Sequence, residues 1–256
     1  KPNMILMVPL MIETFAKKLE DVKDLPEKVV KEAVFGSQFH TICSGGAYLN
    51  PDYIELFERF GIQILQGYGM TECSPVISTT VAWNVKKNSV GQLLPNCEAK
   101  TVDGELWVRG SSVMQGYYKM PEETKTALKD GWLCTGDLGY VDEERFIYLT
   151  GRKKNLIITK NGENVSPEEL ENKLSSSRLV QEVLVREAKG VIEAEIYPDE
   201  EYAKKQGLER KEEVRVELQK LIDEYNQGAP AYKKIYSLII REKEFEKTAS
   251  RKIKRY

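Results

Sequence analysis

The residues of this chain that could do chemistry sit in five short phrases. Gly67-Tyr68-Gly69-Met70-Thr71-Glu72 places an aromatic ring, a hydroxyl and a carboxylate close together. An aromatic face can stack on a base, a threonine hydroxyl can bond a phosphate oxygen, and a carboxylate can hold Mg2+, a hard cation that takes oxygen ligands. Ser44-Gly45-Gly46-Ala47 contains two residues without Cβ, which let the backbone lie close to a flat ligand. Thr135-Gly136-Asp137 presents a carboxylate able to accept two hydrogen bonds from vicinal hydroxyls, an arrangement that suits a ribose. Gly151-Arg152-Lys153-Lys154 and Lys247-Thr248-Ala249-Ser250-Arg251-Lys252 are basic. Taken singly, each phrase has a plain alternative: a tight glycine turn, an acid in a turn, or a solvated basic loop or tail.

Other chemistries find little support. The phosphate-loop pattern GxxxxGK[ST] does not occur, nor does a full GxGxxG. A single histidine, His40, argues against a multi-histidine metal site and against Ser-His-Asp catalysis; beside a strand it reads as structural. The four cysteines at 43, 73, 97 and 134 form no CxxC pair, which fits reduced thiols in a cytoplasmic protein better than a disulfide framework or zinc site. The 38 basic and 40 acidic residues nearly cancel, to net −2, leaving no overall field to attract nucleic acid or an anionic membrane. Apolar runs such as 4–12 fall far short of the ~20 residues of a membrane span. No signal peptide is visible.

The elements that must position these phrases follow from periodicity. With 41% hydrophobic residues, the 256-residue chain can bury one or two full cores. Residues 4–8 read as a buried strand, 9–19 and 27–35 as helices, 39–43 as a short strand running into Ser44. Asn50 followed by Pro51 predicts a capped helix ended by Gly61, and 62–65 the next strand, leading into the loop that holds Tyr68 and Glu72. This strand–helix–strand alternation predicts a parallel sheet. From about 80 to 150 short strands (105–109, 146–149) alternate with turns, and 121–129 reads as a short helix. After Gly151 come a strand over 156–159, an Asn161-Gly162 turn, and a capping box at Ser166-Pro167-Glu168-Glu169. Strands at 180–185, 192–196 and 235–240 and a helix over 209–225, broken by Gly228 and Pro230, complete the reading. The expected class is α/β: a partial parallel α/β subdomain over about 1–80, a β-rich subdomain over about 81–151, then a small α+β domain over 152–256. The chain opens at Lys1 straight into an apolar stretch, which we read as a fragment of a longer protein.

In this order and at these spacings the phrases resemble the adenylate-forming (AMP-binding) enzymes: acyl-CoA synthetases, peptide-synthetase adenylation domains and luciferase. The resemblance covers essentially the whole chain, and the Tyr68–Glu72 phrase carries it most strongly. It implies ATP or AMP, Mg2+ and CoA as ligands. By resemblance, Gly45, Gly46, Ala47, Tyr68 and Gly69 line the adenine site, Thr71 bonds the α-phosphate and Glu72 coordinates Mg2+. Asp137 and Arg152 reach the ribose, and Lys154 is the hinge about which a small mobile domain rotates between two half-reactions. The loop 160–167, with Gly162, forms the thiol tunnel. Lys252 approaches the carboxylate and α-phosphate during adenylation; Arg251 stands where the family more often has glycine.

The family's Ser/Thr/Gly-rich loop ending in lysine, which holds the β- and γ-phosphates, has no counterpart here. The resemblance therefore implies the carboxyl-terminal half of a long-chain fatty acid–CoA ligase, inactive when isolated. The fatty-acid assignment rests on phrases such as Ile196-Tyr197-Pro198-Asp199 and the final Arg251-Lys252-Ile253-Lys254-Arg255. Two alternatives stay open: an acyl-carrier-protein ligase or amino-acid adenylation domain, and a non-catalytic nucleotide-binding module. The presence of Glu72, Asp137, Arg152 and Lys252 together weighs against the last. Oligomeric state and chain-length preference are not legible in these residues.

Overall fold

The computed structural model describes residues 2–22, 24–248 and 253–255. Contacts divide the chain into two compact units, Lys1–Leu149 and Thr150–Tyr256.

In the first unit strand β1 (Met4–Met7) leads through extended Val8 into helix α1 (Pro9–Glu20). Proline suits the first helical position, where its missing N–H has no partner to lose. Ile12, Ala16 and Leu19 recur at helical spacing and are buried. Helix α2 (Glu27–Val34), strand β2 (Thr41–Gly45), helix α3 (Pro51–Arg59) and strand β3 (Gln63–Gly69) follow. Asn50 caps α3 as its sequence predicts: the Asp52 amide donates to Asn50 Oδ1 at 2.9 Å. β1, β2 and β3 pair in parallel. Ile42, Phe57 and Ile62 are wholly enclosed in the core this creates, and each such burial contributes roughly 1.5–3 kcal/mol.

Strands β4 (Val76–Thr79) and β5 (Gln92–Leu93) extend the same sheet antiparallel, giving the order β1-β2-β3-β4-β5. The first sheet thus reaches past residue 80, the expected edge of the α/β piece. A second sheet holds β6 (Cys97–Val102), β7 (Glu105–Gly110), β9 (Trp132–Val141) and β10 (Ile147–Arg152) in the order β10-β9-β7-β6. Helix α4 spans Pro121–Ala127 and stops two residues short of the expected 129. Leu128 and Lys129 instead form β8 and pair back onto Leu133 and Trp132. The turn between them, Asp130-Gly131, has φ of 50° and 79°. Two left-handed residues are what a tight hairpin requires, and this local demand overrides helix continuation.

The second unit opens with a two-stranded hairpin, β11 (Ile157–Ile158) and β12 (Asn164–Val165), turning at Asn161-Gly162. Helix α5 (Pro167–Leu174) follows, then β13 (Val180–Ala188), β14 (Val191–Pro198), α6 (Glu200–Lys205), α7 (Lys211–Gly228) and β15 (Ile235–Ile240). β13 and β14 are antiparallel; β15 joins β14 in parallel after the helical crossover. Val165, Leu170, Leu174, Ala194 and Leu218 are fully buried between sheet and helices. Three sequence readings change here. Ser166 occupies the N-cap of α5 without making a cap bond; its hydroxyl donates to Glu168 Oε2 at 3.0 Å, while Glu169 takes Lys233 at 2.6 Å. Gly228 is the last residue of α7 and the break comes after it. Helix α6, capped by Asp199 accepting from the Tyr202 amide at 2.9 Å, is an element periodicity did not reveal.

Candidate functional site

Parallel pairing sets Gly45 opposite Gly67. The glycine-rich phrase and the Tyr68 phrase therefore lie side by side at the carboxyl ends of β2 and β3, where ligands bind in open parallel sheets. The backbones approach so closely that side chains are excluded. A Cβ on Gly45 would lie 2.9 Å from the Gly67 oxygen, and one on Gly69 only 1.9 Å from the Pro75 oxygen. Gly46 turns the chain with φ of +85° and, like Ala47, is exposed. Ser44, just before them, is buried, and its hydroxyl has no hydrogen-bond partner among the described residues.

Tyr68 is 8% exposed and donates its hydroxyl to Asp137 Oδ2 at 2.6 Å; Asp137 itself is 4% exposed. This bond joins the aromatic residue of one phrase to the carboxylate of another, 69 positions apart. The segment around Asp137, which lies within strand β9, is held from below. Thr135 Oγ1 donates to the Leu106 carbonyl at 2.7 Å and accepts from the Asp137 amide at 3.1 Å. Buried Glu105 accepts from the Gly136 amide at 2.9 Å and from Trp107 Nε1 at 3.2 Å. Glu105 is a supporting residue that sequence reasoning missed; it alternates with Trp107 and Arg109, opposite the buried Leu106 and Val108, so periodicity does not mark it.

Thr71 and Glu72 lie on a single 3-10 turn, Thr71–Cys73, with Thr71 exposed and Glu72 half-buried. The Met114 amide donates to the Glu72 carbonyl at 2.8 Å, and the Tyr117 hydroxyl donates to Glu72 Oε1 at 2.8 Å. That hydrogen bond pushes the Tyr117 phenol above its ordinary pKa, with burial adding to it. No pattern in the sequence marks Tyr117. The donor set also bears on which cation fits. Among the described residues no group of three or more His, Cys, Asp or Glu could cage a metal. A single carboxylate beside a threonine hydroxyl suits Mg2+, which keeps its waters and is shared with substrate phosphates.

Arg152, Lys154 and Gly162 belong to the second unit and are exposed. Lys154 sits in a 3-10 turn, Lys153–Asn155, immediately after Arg152. Gly162 has φ of +82° at the tip of the β11–β12 hairpin, and its amide donates to the Thr159 carbonyl at 2.9 Å. Gly151 is required by packing, since a Cβ there would meet Ser166 Oγ at 2.0 Å. Lys252 lies outside the described residues. On either side, Lys247 pairs with Glu244 at 2.6 Å and Arg255 with Glu171. His40 bonds Thr41 through Nδ1 at 2.7 Å, in keeping with a structural role, and the four cysteines are free thiols. Burial, with Cys97 nearby, pushes the Cys73 thiol up to about 12, so it is inert as a nucleophile.

The first unit thus places Gly45, Gly46, Ala47, Tyr68, Gly69, Thr71 and Glu72 at or just after the ends of β2 and β3, and Asp137, inside β9, joins them through Tyr68. The sequence profile of AMP-binding enzymes matches residues 1–118, and that of the AMP-binding enzyme C-terminal domain matches residues 154–256. The chain belongs to the AMP-binding enzyme family. Among its relatives, a long-chain-fatty-acid–CoA ligase from Mycobacterium bovis is 39% identical over 171 residues, 66% of this chain and 28% of that protein. A 4-coumarate–CoA ligase-like protein from Oryza sativa subsp. japonica is 38% identical over 200 residues, 70% of this chain and 34% of that one. The o-succinylbenzoate CoA synthetase of Bacillus subtilis, solved with its acyl-adenylate intermediate, superposes with a TM-score of 0.77 at 29% identity, over 98% of this chain and 49% of that one. The same synthetase is also solved with ATP and a magnesium ion, with a TM-score of 0.74. The family match accounts for the mixed α/β architecture of the first unit and for the separate second unit.

Proposed function

We propose that this chain carries the nucleotide side of an AMP-forming acid–CoA ligase acting on a long-chain fatty acid. The observation that supports it best is the Tyr68–Asp137 hydrogen bond, which closes the adenine-type and ribose-type phrases into one site. On this reading Gly45, Gly46, Ala47, Tyr68 and Gly69 bound the adenine, and Asp137 and Arg152 hold the ribose hydroxyls. Thr71 bonds the α-phosphate and Glu72 holds Mg2+. When bound, Mg2+ neutralises charge on the phosphates as pyrophosphate departs.

The reaction runs in two steps. A carboxylate oxygen of the acid attacks the α-phosphorus; the new P–O bond forms as the bond to pyrophosphate breaks. The CoA thiol then attacks the acyl carbonyl and AMP leaves. Lys252 offsets the charge that builds on phosphorus in the first step. Lys154 acts as the hinge and the Gly162 loop admits the pantetheine arm in the second. The fatty-acid assignment is supported by the ligases named for that substrate among the relatives. A second reading, an aryl acid, is favoured by the coumarate-type relative and the succinylbenzoate synthetase. No helix among the described residues is long and apolar enough to cross a membrane.

Acid-dependent ATP–pyrophosphate exchange by the full-length protein tests this, with fatty, aryl, short-chain and amino acids in parallel. Exchange with long-chain fatty acids, reduced on the order of 100-fold in Lys252→Ala, is the expected result. Exchange with aryl acids alone would move the substrate to the second reading. Exchange with none would overturn the ligase reading.

A further inference from the structure

Tyr117 stands outside the phrases that bound the nucleotide, yet among the described residues its side chain alone is seen to bond the Glu72 carboxylate. Its own placement is fixed from the far side. The Tyr117 amide donates to Thr124 Oγ1 at 2.9 Å, and that hydroxyl donates to the Met120 carbonyl at 2.7 Å in the first turn of α4. The loop is pressed so close that a Cβ on Gly116 would meet Thr124 Cγ2 at 2.7 Å. A second strut, the Met114 amide on the Glu72 carbonyl at 2.8 Å, holds the main chain of the same acid. Glu72 is therefore gripped at backbone and side chain by one segment, 114–124.

A free glutamate samples several rotamers, and holding one of them costs side-chain entropy when a cation binds. A phenol that occupies Oε1 beforehand removes that cost and leaves Oε2 for the cation. Resting on the reading of Glu72 as the Mg2+ carboxylate, we infer that Tyr117 is a positioning residue for the metal: its hydroxyl orients Glu72 so that Oε2 faces the bound cation. It does not touch substrate. Outer hydrogen-bond partners of metal ligands typically set affinity by 10–100-fold, and an exposed phenol on a single carboxylate belongs at the lower end, about tenfold.

The test is direct metal binding, independent of turnover. Mn2+ is titrated into the full-length protein with a non-hydrolysable ATP analogue, and free Mn2+ is read by its electron paramagnetic resonance signal. Tyr117→Phe removes only the hydroxyl and should weaken Mn2+ about tenfold, with the melting temperature and the affinity for the analogue without metal unchanged. Thr124→Val, which leaves the phenol in place but removes its anchor, should weaken Mn2+ by a smaller factor. Glu72→Gln serves as the control. If Glu72→Gln weakens Mn2+ while both other variants bind it like the wild type, the role of Tyr117 is overturned and the reading of Glu72 stands. If Glu72→Gln also binds Mn2+ normally, the reading of Glu72 falls and the inference with it.

Discussion

A buried carboxylate persists only where hydrogen bonds replace the water it has lost. Asp137 meets that condition through Tyr68, and Glu105 meets it through the Gly136 amide and Trp107. Tyr68→Phe should therefore lower the unfolding free energy of the first unit by about 1–3 kcal/mol, measured by urea denaturation; an unchanged value would contradict the bond. Glu171 makes a different case in the second unit. Burial raises its pKa from 4.5 to about 7, against the opposing pull of Arg255 and the Val185 amide. The folded state thus binds this proton more tightly than the unfolded chain. The stability it adds is complete below about pH 4.5 and is lost as pH rises through about 7. Melting of the second unit should fall by several degrees from about pH 5 to about pH 8, and Glu171→Gln should flatten the profile. A wild-type profile as flat as that of the variant would contradict the shift. At this scale the sequence was legible where chemistry is local. The left-handed glycines at 46 and 162 stand in the turns expected of them, whereas Gly136, with φ of +71°, lies inside strand β9 and not in a turn. Tyr117 was not legible because Glu72 lies 45 residues away, and Glu105 because the Gly136 amide it supports lies 31 residues away; tertiary packing alone brings each pair together.

The elements were readable in proportion to how much their own sequence decided them. The Asn50-capped helix α3 carries its cap and apolar periodicity and forms as expected; β2 and β3 flank it but run on to Gly45 and Gly69, so Ser44, Gly45 and Tyr68 stand in strand where a turn and a loop were expected. The end of α4 also departs, because Asp130-Gly131 draws Leu128 and Lys129 into a hairpin. The box expected at Ser166 fails because its hydroxyl finds the Glu168 carboxylate and Lys233 draws Glu169 away. The junction of β3 with β4 offers a test of how tightly the site is built. Gly69→Ala would drive a methyl into the Pro75 carbonyl, whose oxygen would lie 1.9 Å from the added carbon. The strand must shift, and the expected cost is about 2 kcal/mol or more. Nucleotide affinity should fall with it, since Thr71 and Glu72 follow immediately. A variant with wild-type stability and affinity would show that β3 yields freely there.

Each of the two units closes its own core, one around Ile42, Phe57 and Ile62, the other around Leu170, Ala194 and Leu218. Residues 150–256 expressed alone should accordingly unfold in one cooperative transition, visible by calorimetry. A broad, non-cooperative melt would show that the second unit depends on the first. The extension of the first sheet to β5 was not legible in the sequence, because two-residue strands carry no periodicity. On the proposed reading, the ends of β2 and β3 form one nucleotide site with Asp137 of β9. Calorimetric binding of AMP to the full-length protein and to Asp137→Ala tests it most directly. The predicted result is a loss of affinity of at least about 100-fold, from removal of charge-assisted bonds to two ribose hydroxyls. Equal affinity in the two proteins would contradict it.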